Sequence, residues 1–232
     1  MPGLPILLVP GLNCSPRLYA AQMPALWRFG PVTVVDHTRD DTMAAIAKRI
    51  LDAAPPRFAL AGLSMGGYVA LEIVRQAADR VERLALLDTG SRADAPEATA
   101  KRHANIALAQ SGRFEDVIGP QFPLYVNPAR ANDAALKAEY LAMCHDVGPE
   151  AYVRQQKAIM TRADARPLLR TIRVPTLVLV GEQDAATPPA LSDEMAAAIP
   201  GARLVKVAEC GHLSTMERPE AVTRELVEWM AA

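Results

Sequence analysis

Ser64 stands in the run Gly62-Leu63-Ser64-Met65-Gly66, followed by Gly67, between the apolar stretch Phe58-Ala59-Leu60-Ala61 and a segment of helical periodicity that begins at Met65. A serine between glycines at a sharp strand-to-helix turn is held in a strained backbone conformation, with its hydroxyl projected from the turn. The helix that follows directs its free N–H groups and the positive end of its dipole at an oxyanion formed beside Ser64, and the Met65 N–H is the expected donor. An ordinary glycine-rich turn shares the composition but does not require both flanking elements.

A serine hydroxyl is a poor nucleophile at neutral pH until a base removes its proton, so the motif calls for a histidine. Of four histidines, His212 lies in Glu209-Cys210-Gly211-His212-Leu213, after the last strand-like run and before the last helical one. That loop belongs at the same sheet edge as Ser64. His37, His103 and His145 are expected in surface or packing roles. The base needs a carboxylate to fix its tautomer. Asp184, one loop after Leu177-Val178-Leu179-Val180, is expected there because it gives the order Ser, Asp, His, and Asp88, at the end of Leu84 to Leu87, is its rival. The loop Val9-Pro10-Gly11-Leu12-Asn13 is expected to supply a second oxyanion donor from the Leu12 N–H.

These residues need a frame that brings three loops to one edge. Runs rich in Val, Leu and Ile at 6–9, 32–36, 58–63, 81–87, 176–181 and 203–207 alternate with helical patterns at 17–26, 42–54, 65–77, 189–199 and 219–230. This rhythm predicts an α/β fold with a mostly parallel sheet of about six strands, covered on both faces. From about Ser91 to Ala165 no strand-like run occurs, and Ala-rich helical patterns are separated at Gly119-Pro120, Asn127-Pro128 and Gly148-Pro149. The expected organisation is a core of residues 1–90 and 166–232 with a helical insertion at 91–165. An insertion that leaves the carboxyl edge of the sheet is placed to cap a ligand site, although a helical layer that only extends the core would show the same periodicity. Phe122, Leu124 and Tyr125 in the insertion are candidates for lining the pocket, with core packing as the alternative.

With Ser64, Asp184 and His212 in these positions, the chain resembles the α/β-hydrolase superfamily over almost its full length. The stretches Gly148-Pro149-Glu150-Ala151-Tyr152, Val174-Pro175-Thr176, Gly181-Glu182-Gln183-Asp184, Thr187-Pro188-Pro189, Ile199-Pro200-Gly201-Ala202, Gly211-His212 and Glu217-Arg218-Pro219-Glu220 are most similar to the 3-oxoadipate enol-lactonase and carboxylesterase-like branch. The resemblance implies acyl transfer to water from an ester or lactone. It also admits carbon-carbon bond hydrolysis, perhydrolysis, the lyase step of menaquinone synthesis, or a non-catalytic small-molecule receptor on the same fold. Dehalogenases and epoxide hydrolases of the superfamily need an aspartate where this chain has Ser64. Relatives in the branch usually begin with a β-hairpin, so the sheet is expected to be smaller by two strands. They also usually carry His-Gly where this chain has Pro10-Gly11, which removes a side-chain brace from the oxyanion loop.

Half of the 232 residues are apolar, enough for one sizeable core, and 25 basic against 26 acidic residues leave a net charge of −1 without a long run of either sign. This argues for a small-molecule partner and against nucleic acid or a polybasic membrane anchor. The apolar run near the N-terminus is too short for a signal or a span. The three cysteines, Cys14, Cys144 and Cys210, form neither a disulfide framework nor a zinc pattern, and a cytoplasmic setting fits them. The expected chemistry uses no metal and no organic cofactor.

Overall fold

The computed structural model describes residues 3–232. Six strands, β1 (Ile6–Val9), β2 (Val32–Val34), β3 (Phe58–Leu63), β4 (Val81–Leu87), β5 (Thr176–Gly181) and β6 (Arg203–Val207), form one sheet in the order β2-β1-β3-β4-β5-β6. Every pairing is parallel. β3 and β5 are buried along their whole length, which is why they read as continuous apolar runs rather than alternating ones.

Successive strand residues point to opposite faces and feed two apolar clusters. Leu7, Val9, Leu60, Leu84, Leu86 and Val178 pack with helices α2 (Met43–Ala53) and α3 (Met65–Ala77) and with Met195 of α8 (Pro189–Ala198). Ile6, Leu8, Ala61, Leu63, Leu87 and Leu179 pack with α1 (Met23–Leu26) and α10 (Pro219–Ala231) on the other face. The expected helix at 17–26 is broken: a 3-10 turn at Pro16–Tyr19 precedes the short α1, and a second at Trp27–Phe29 follows it. Pro24 lies in the first turn of α1, where its missing N–H costs nothing, but a helix continued from Arg17 would lose a bond there.

Between β4 and β5 the chain is helical, with α4 (Pro96–Gln110), α5 (Glu115–Tyr125), α6 (Ala134–Met160) and α7 (Arg166–Leu169). α6 kinks at Gly148, whose φ of 76° and ψ of 165° are non-helical, as the Gly-Pro pair there suggested. Gly119-Pro120, read as a separator, instead lies inside α5. Burial of Val117, Ile118 and Phe122 holds that helix together across the hydrogen bonds that Pro120 and Pro123 remove. Phe114, Ile118, Phe122, Tyr140, Met143 and Tyr152 join the same apolar cluster as β1 and β3, so these helices pack directly on the sheet-side core. No helix among the described residues is long and apolar enough to cross a membrane.

Candidate active site

Ser64 lies between β3 and α3 with φ 56° and ψ −116°, outside the regions comfortable for a residue with a Cβ. The elbow is locked from several sides. The Ser64 N–H donates to the Leu87 carbonyl at 2.9 Å, and the Thr89 hydroxyl donates to the Ser64 carbonyl at 2.8 Å. A Cβ at Gly62 would sit 2.2 Å from the Gly66 carbonyl oxygen, and one at Gly66 would sit 2.0 Å from that of Val9. Both glycines are demanded by backbone packed against backbone.

Asp184 follows β5 and His212 lies between β6 and the short helix α9 (Ser214–Glu217). His212 Nδ1 is 2.8 Å from Asp184 Oδ2 in a buried pair. The other oxygen, Oδ1, accepts the N–H groups of Ala186 and Thr187 at 2.9 and 2.8 Å, while the Thr187 hydroxyl donates to Oδ2 at 2.7 Å. Burial opposes charge on both partners, but the mutual attraction and these hydrogen bonds win, so the His212 pKa is raised and that of Asp184 lowered. Ser64 and His212 face one cavity of about 450 Å³, together with Gly11 and Leu12. No hydrogen bond joins Ser64 Oγ to the ring, and in unliganded sites that contact is often long.

The loop after β1 approaches the elbow closely, since a Cβ on Gly11 would lie 3.4 Å from that of Ser64. Among the described residues neither the Leu12 nor the Met65 N–H has a backbone hydrogen-bond partner; Leu12 lines the same cavity as Ser64, and Met65 follows Ser64 as the first residue of α3. The brace that Pro10 cannot supply comes from elsewhere. His37 Nε2 is 3.0 Å from the Gly11 carbonyl oxygen and 3.0 Å from the Gln155 amide nitrogen, and Gln155 Oε1 accepts the Asn13 N–H at 2.9 Å. All of these groups are buried. Burial lowers the His37 pKa.

Asp88, the rival carboxylate, does not reach His212 by a hydrogen bond. It is fully buried, accepts the Gly181 N–H at 2.9 Å and shares a short hydrogen bond with the Ser214 hydroxyl. Burial, reinforced by the Asp184 charge, pushes its pKa well above the usual carboxylate range. Asp88 therefore ties β4 to the ends of both loops that carry Asp184 and His212. His103 is exposed on α4, and His145 pairs with Glu115 at the surface. The three cysteines are free and buried.

Of the expected pocket residues, Leu124 and Tyr125 line the cavity, with the Tyr125 ring centroid 5.3 Å from that of His212. Phe122 does not. Its side chain turns inward, fully buried against Tyr140 at 5.7 Å between ring centroids. Residues that sequence reading did not single out complete the lining, chiefly Lys101, Arg102, Asn105, Gln121 and Gln156. As polar residues in helical patterns they read as parts of a solvated face. Nothing in the sequence around Gln155 or Lys101 marks either as part of a site.

Residues 6–225 match the Alpha/beta hydrolase family, and the chain belongs to that family. Among its relatives, a thermophilic esterase from Thermogutta terrifontis, solved with malate bound, superposes with a TM-score of 0.89 at 31% identity, covering 99% of this chain and 90% of that one. The enol-lactonase from Burkholderia xenovorans LB400 gives a TM-score of 0.87 at 27% identity, with 100% and 93% covered. A protein of Azorhizobium caulinodans, provisionally named the carbamate hydrolase RutD, is 30% identical over 97% of this chain and 90% of its own length.

Proposed function

We propose that the chain is a serine hydrolase that cleaves a carboxylic ester or lactone of a small molecule through an acyl-enzyme. The observation that carries this reading is the buried 2.8 Å contact of His212 with Asp184, facing the same cavity as the strained Ser64. In this reading His212 Nε2 takes the Ser64 proton as Oγ attacks the substrate carbonyl. The Leu12 and Met65 N–H groups hold the tetrahedral oxyanion, and the proton passes from the imidazolium to the departing alkoxide. Water, deprotonated by the same ring, then adds to the acyl carbon and releases the acid and Ser64. Asp184 stabilises the imidazolium in both halves. None of these steps calls on a metal or cofactor.

The helices between β4 and β5 act here as the cap, since α4, α5 and α6 supply Arg102, Leu124, Tyr125 and Gln156 to the cavity that Ser64 enters. Three free, buried thiols support a reducing, cytoplasmic setting. The test is hydrolysis of p-nitrophenyl esters from acetate to decanoate by the wild type and Ser64→Ala. The expected result is turnover that falls at least about 10⁴-fold in the variant. Wild-type rates in Ser64→Ala would overturn the assignment.

A further inference from the structure

Tyr68 stands on the boundary between two cavities. It follows Ser64 by one helical turn, its N–H donating to the Ser64 carbonyl at 3.4 Å, and it lines the cavity of about 450 Å³ that Ser64 and His212 face. It also lines a second cavity, of about 10 Å³, bounded by Leu71, Gly90, Ser91, Arg92 and Arg162. Among the described residues Tyr68 alone is common to both linings. The Arg162 guanidinium carbon lies 4.4 Å from the centre of the Tyr68 ring, and Arg162 lines the second cavity but not the first. The ring therefore turns one face to the guanidinium and the second cavity, and bounds the catalytic cavity on its other side. The space behind it is too small for more than a single water, and the buried Ser91 hydroxyl on its wall has no hydrogen-bond partner among the described residues. Arg162 is itself fixed: its Nη1 donates to Asp94 Oδ1 at 2.7 Å and its Nε to the Arg92 carbonyl at 2.9 Å, with 12% of its side chain exposed. A guanidinium anchored in this way and laid on an aromatic face holds the ring by cation–π attraction as well as by contact.

We infer that Tyr68 is a specificity-determining residue: its ring is the end wall of the substrate cavity on the α3 side, and Arg162 is the positioning residue that keeps this wall in place. The inference rests on the ester reading for the reaction, and deepens it by setting how long an apolar arm of the substrate can lie beside Ser64. Such an arm gains from each methylene it buries until it meets the ring. The next methylene either stays in water or must push the ring off the guanidinium, so the substrates are esters or lactones whose arm ends before Tyr68. Without the ring the two cavities join, and the arm can run on toward Gly90 and Ser91.

The probes are methyl esters of straight-chain acids from butanoate to decanoate. Their binding to Ser64→Ala protein is measured by titration calorimetry, so that no turnover is needed, alone and with Tyr68→Phe, Tyr68→Ala or Arg162→Lys added. The kcat/KM of p-nitrophenyl esters of the same acids is measured in the proteins that keep Ser64. With Tyr68 in place, affinity is expected to rise about fourfold per methylene up to a limiting length and then to stop rising. Tyr68→Phe keeps the ring and should keep the limit. Tyr68→Ala should move the limit to longer chains, the first methylene beyond the old limit gaining about fourfold, and the kcat/KM optimum should move the same way. Arg162→Lys leaves a cation for Asp94 but no planar group on the ring, so chains just beyond the limit should bind more tightly than they do with Arg162. Tyr68→Leu replaces the alanine variant if that one does not fold. Affinity that climbs without a limit in the parent protein, a limit that the alanine or leucine variant leaves in place, or one that Tyr68→Phe also moves, would overturn the proposal. A limit unchanged by Arg162→Lys would remove Arg162 from it. A binding limit that moves as expected, with no turnover of any ester, would uphold the wall and sink the ester reading instead.

Discussion

Glu217 Oε2 accepts the backbone N–H of Asn127 at 2.7 Å, while its Oε1 accepts that of Gly211 at 2.8 Å, so one buried carboxylate fastens the segment leaving α5 to the loop that carries His212. The same junction is closed by Asn127 Nδ2 donating to Gln183 Oε1 at 3.0 Å, and by the Leu213 N–H donating to the Tyr125 carbonyl at 3.0 Å. Tyr125 and His212 are therefore set by shared backbone contacts, and the position of the helices between β4 and β5 is coupled to that of the base.

Glu217→Gln tests this coupling. Burial raises the Glu217 pKa despite its two N–H partners, yet both oxygens act as acceptors, and a glutamine must turn its NH₂ toward one of the two donors. The expected cost is about 1–3 kcal/mol of stability from the donor left unpaired. Turnover should fall as well, since the loop that orients His212 loses an anchor. Denaturant unfolding and ester hydrolysis on the same preparation read both effects, and an unchanged midpoint would show that the junction does not depend on this side chain.

The pH dependence follows from His212 and Asp184. Burial alone would drive the ring neutral, but the Asp184 charge and hydrogen bond raise its pKa above the usual 6.5. The neutral ring is the base, so kcat/KM should rise with pH along a limb placed above 6.5. Asp184→Asn removes the dominant opposing charge, so the limb should move to lower pH and turnover should drop roughly 10⁴-fold. For stability the signs are opposite. His212, raised on folding, contributes fully below 6.5 and loses that contribution as pH rises through its folded value. Asp184, lowered on folding, contributes above 3.8 and loses it as pH falls through its own folded value.

Asp88→Asn is expected to behave unlike Asp184→Asn, although both remove a buried carboxylate from the same region. Burial and the Asp184 charge raise the Asp88 pKa, and asparagine can still accept the Gly181 N–H and bond the Ser214 hydroxyl. Stability at acid pH should change by less than about 1 kcal/mol, because the hydrogen bonds are kept. A carboxyl whose pKa is raised on folding contributes below 3.8 and loses that contribution as pH rises through its folded value, so stability should fall less with rising pH in this variant. Thermal unfolding from acid to alkaline pH reads the difference, and a loss of activity as deep as that of Asp184→Asn would make Asp88 part of the reacting set.

What the sequence made legible is what local rules govern. β3 and β5 are continuous apolar runs, β4 and β6 are apolar runs that carry charged residues, and the bounds of all four coincide with the observed strands. Ser64, Asp184 and His212 sit at strand ends, where the parallel order of the sheet carries them to one edge. β2 ends at Val34 rather than Asp36, at the sheet margin where only one neighbour fixes its length. The Phe122 side chain was ambiguous because an aromatic on a helix reads the same whether it faces a cavity or Tyr140. Glu217, Gln155 and Lys101 are polar residues in helical patterns, which sequence assigns to solvent. Only contacts between residues far apart in the chain give them their places.

Gln155 is the sharpest of these cases, and it concerns the loop where the sequence showed a deficit. Pro10 offers the loop no side-chain hydrogen bond, yet the loop is held: Gln155, from the kinked α6, accepts the Asn13 N–H and contacts His37, which in turn lies 3.0 Å from the Gly11 carbonyl oxygen. Asn13 has φ 59°, so its N–H is presented by a strained turn that needs an anchor. Gln155→Leu keeps the volume nearly constant but leaves the Asn13 N–H and one His37 contact unmade, at about 1–3 kcal/mol. If the Leu12 N–H is an oxyanion donor, the loosened loop should lower kcat by up to about 10²-fold, with KM changed less, because the donor acts on the transition state. Gln155→Glu should restore the acceptor for Asn13 and recover part of kcat. A loss confined to KM would place Gln155 in substrate binding rather than in the bracing of the loop.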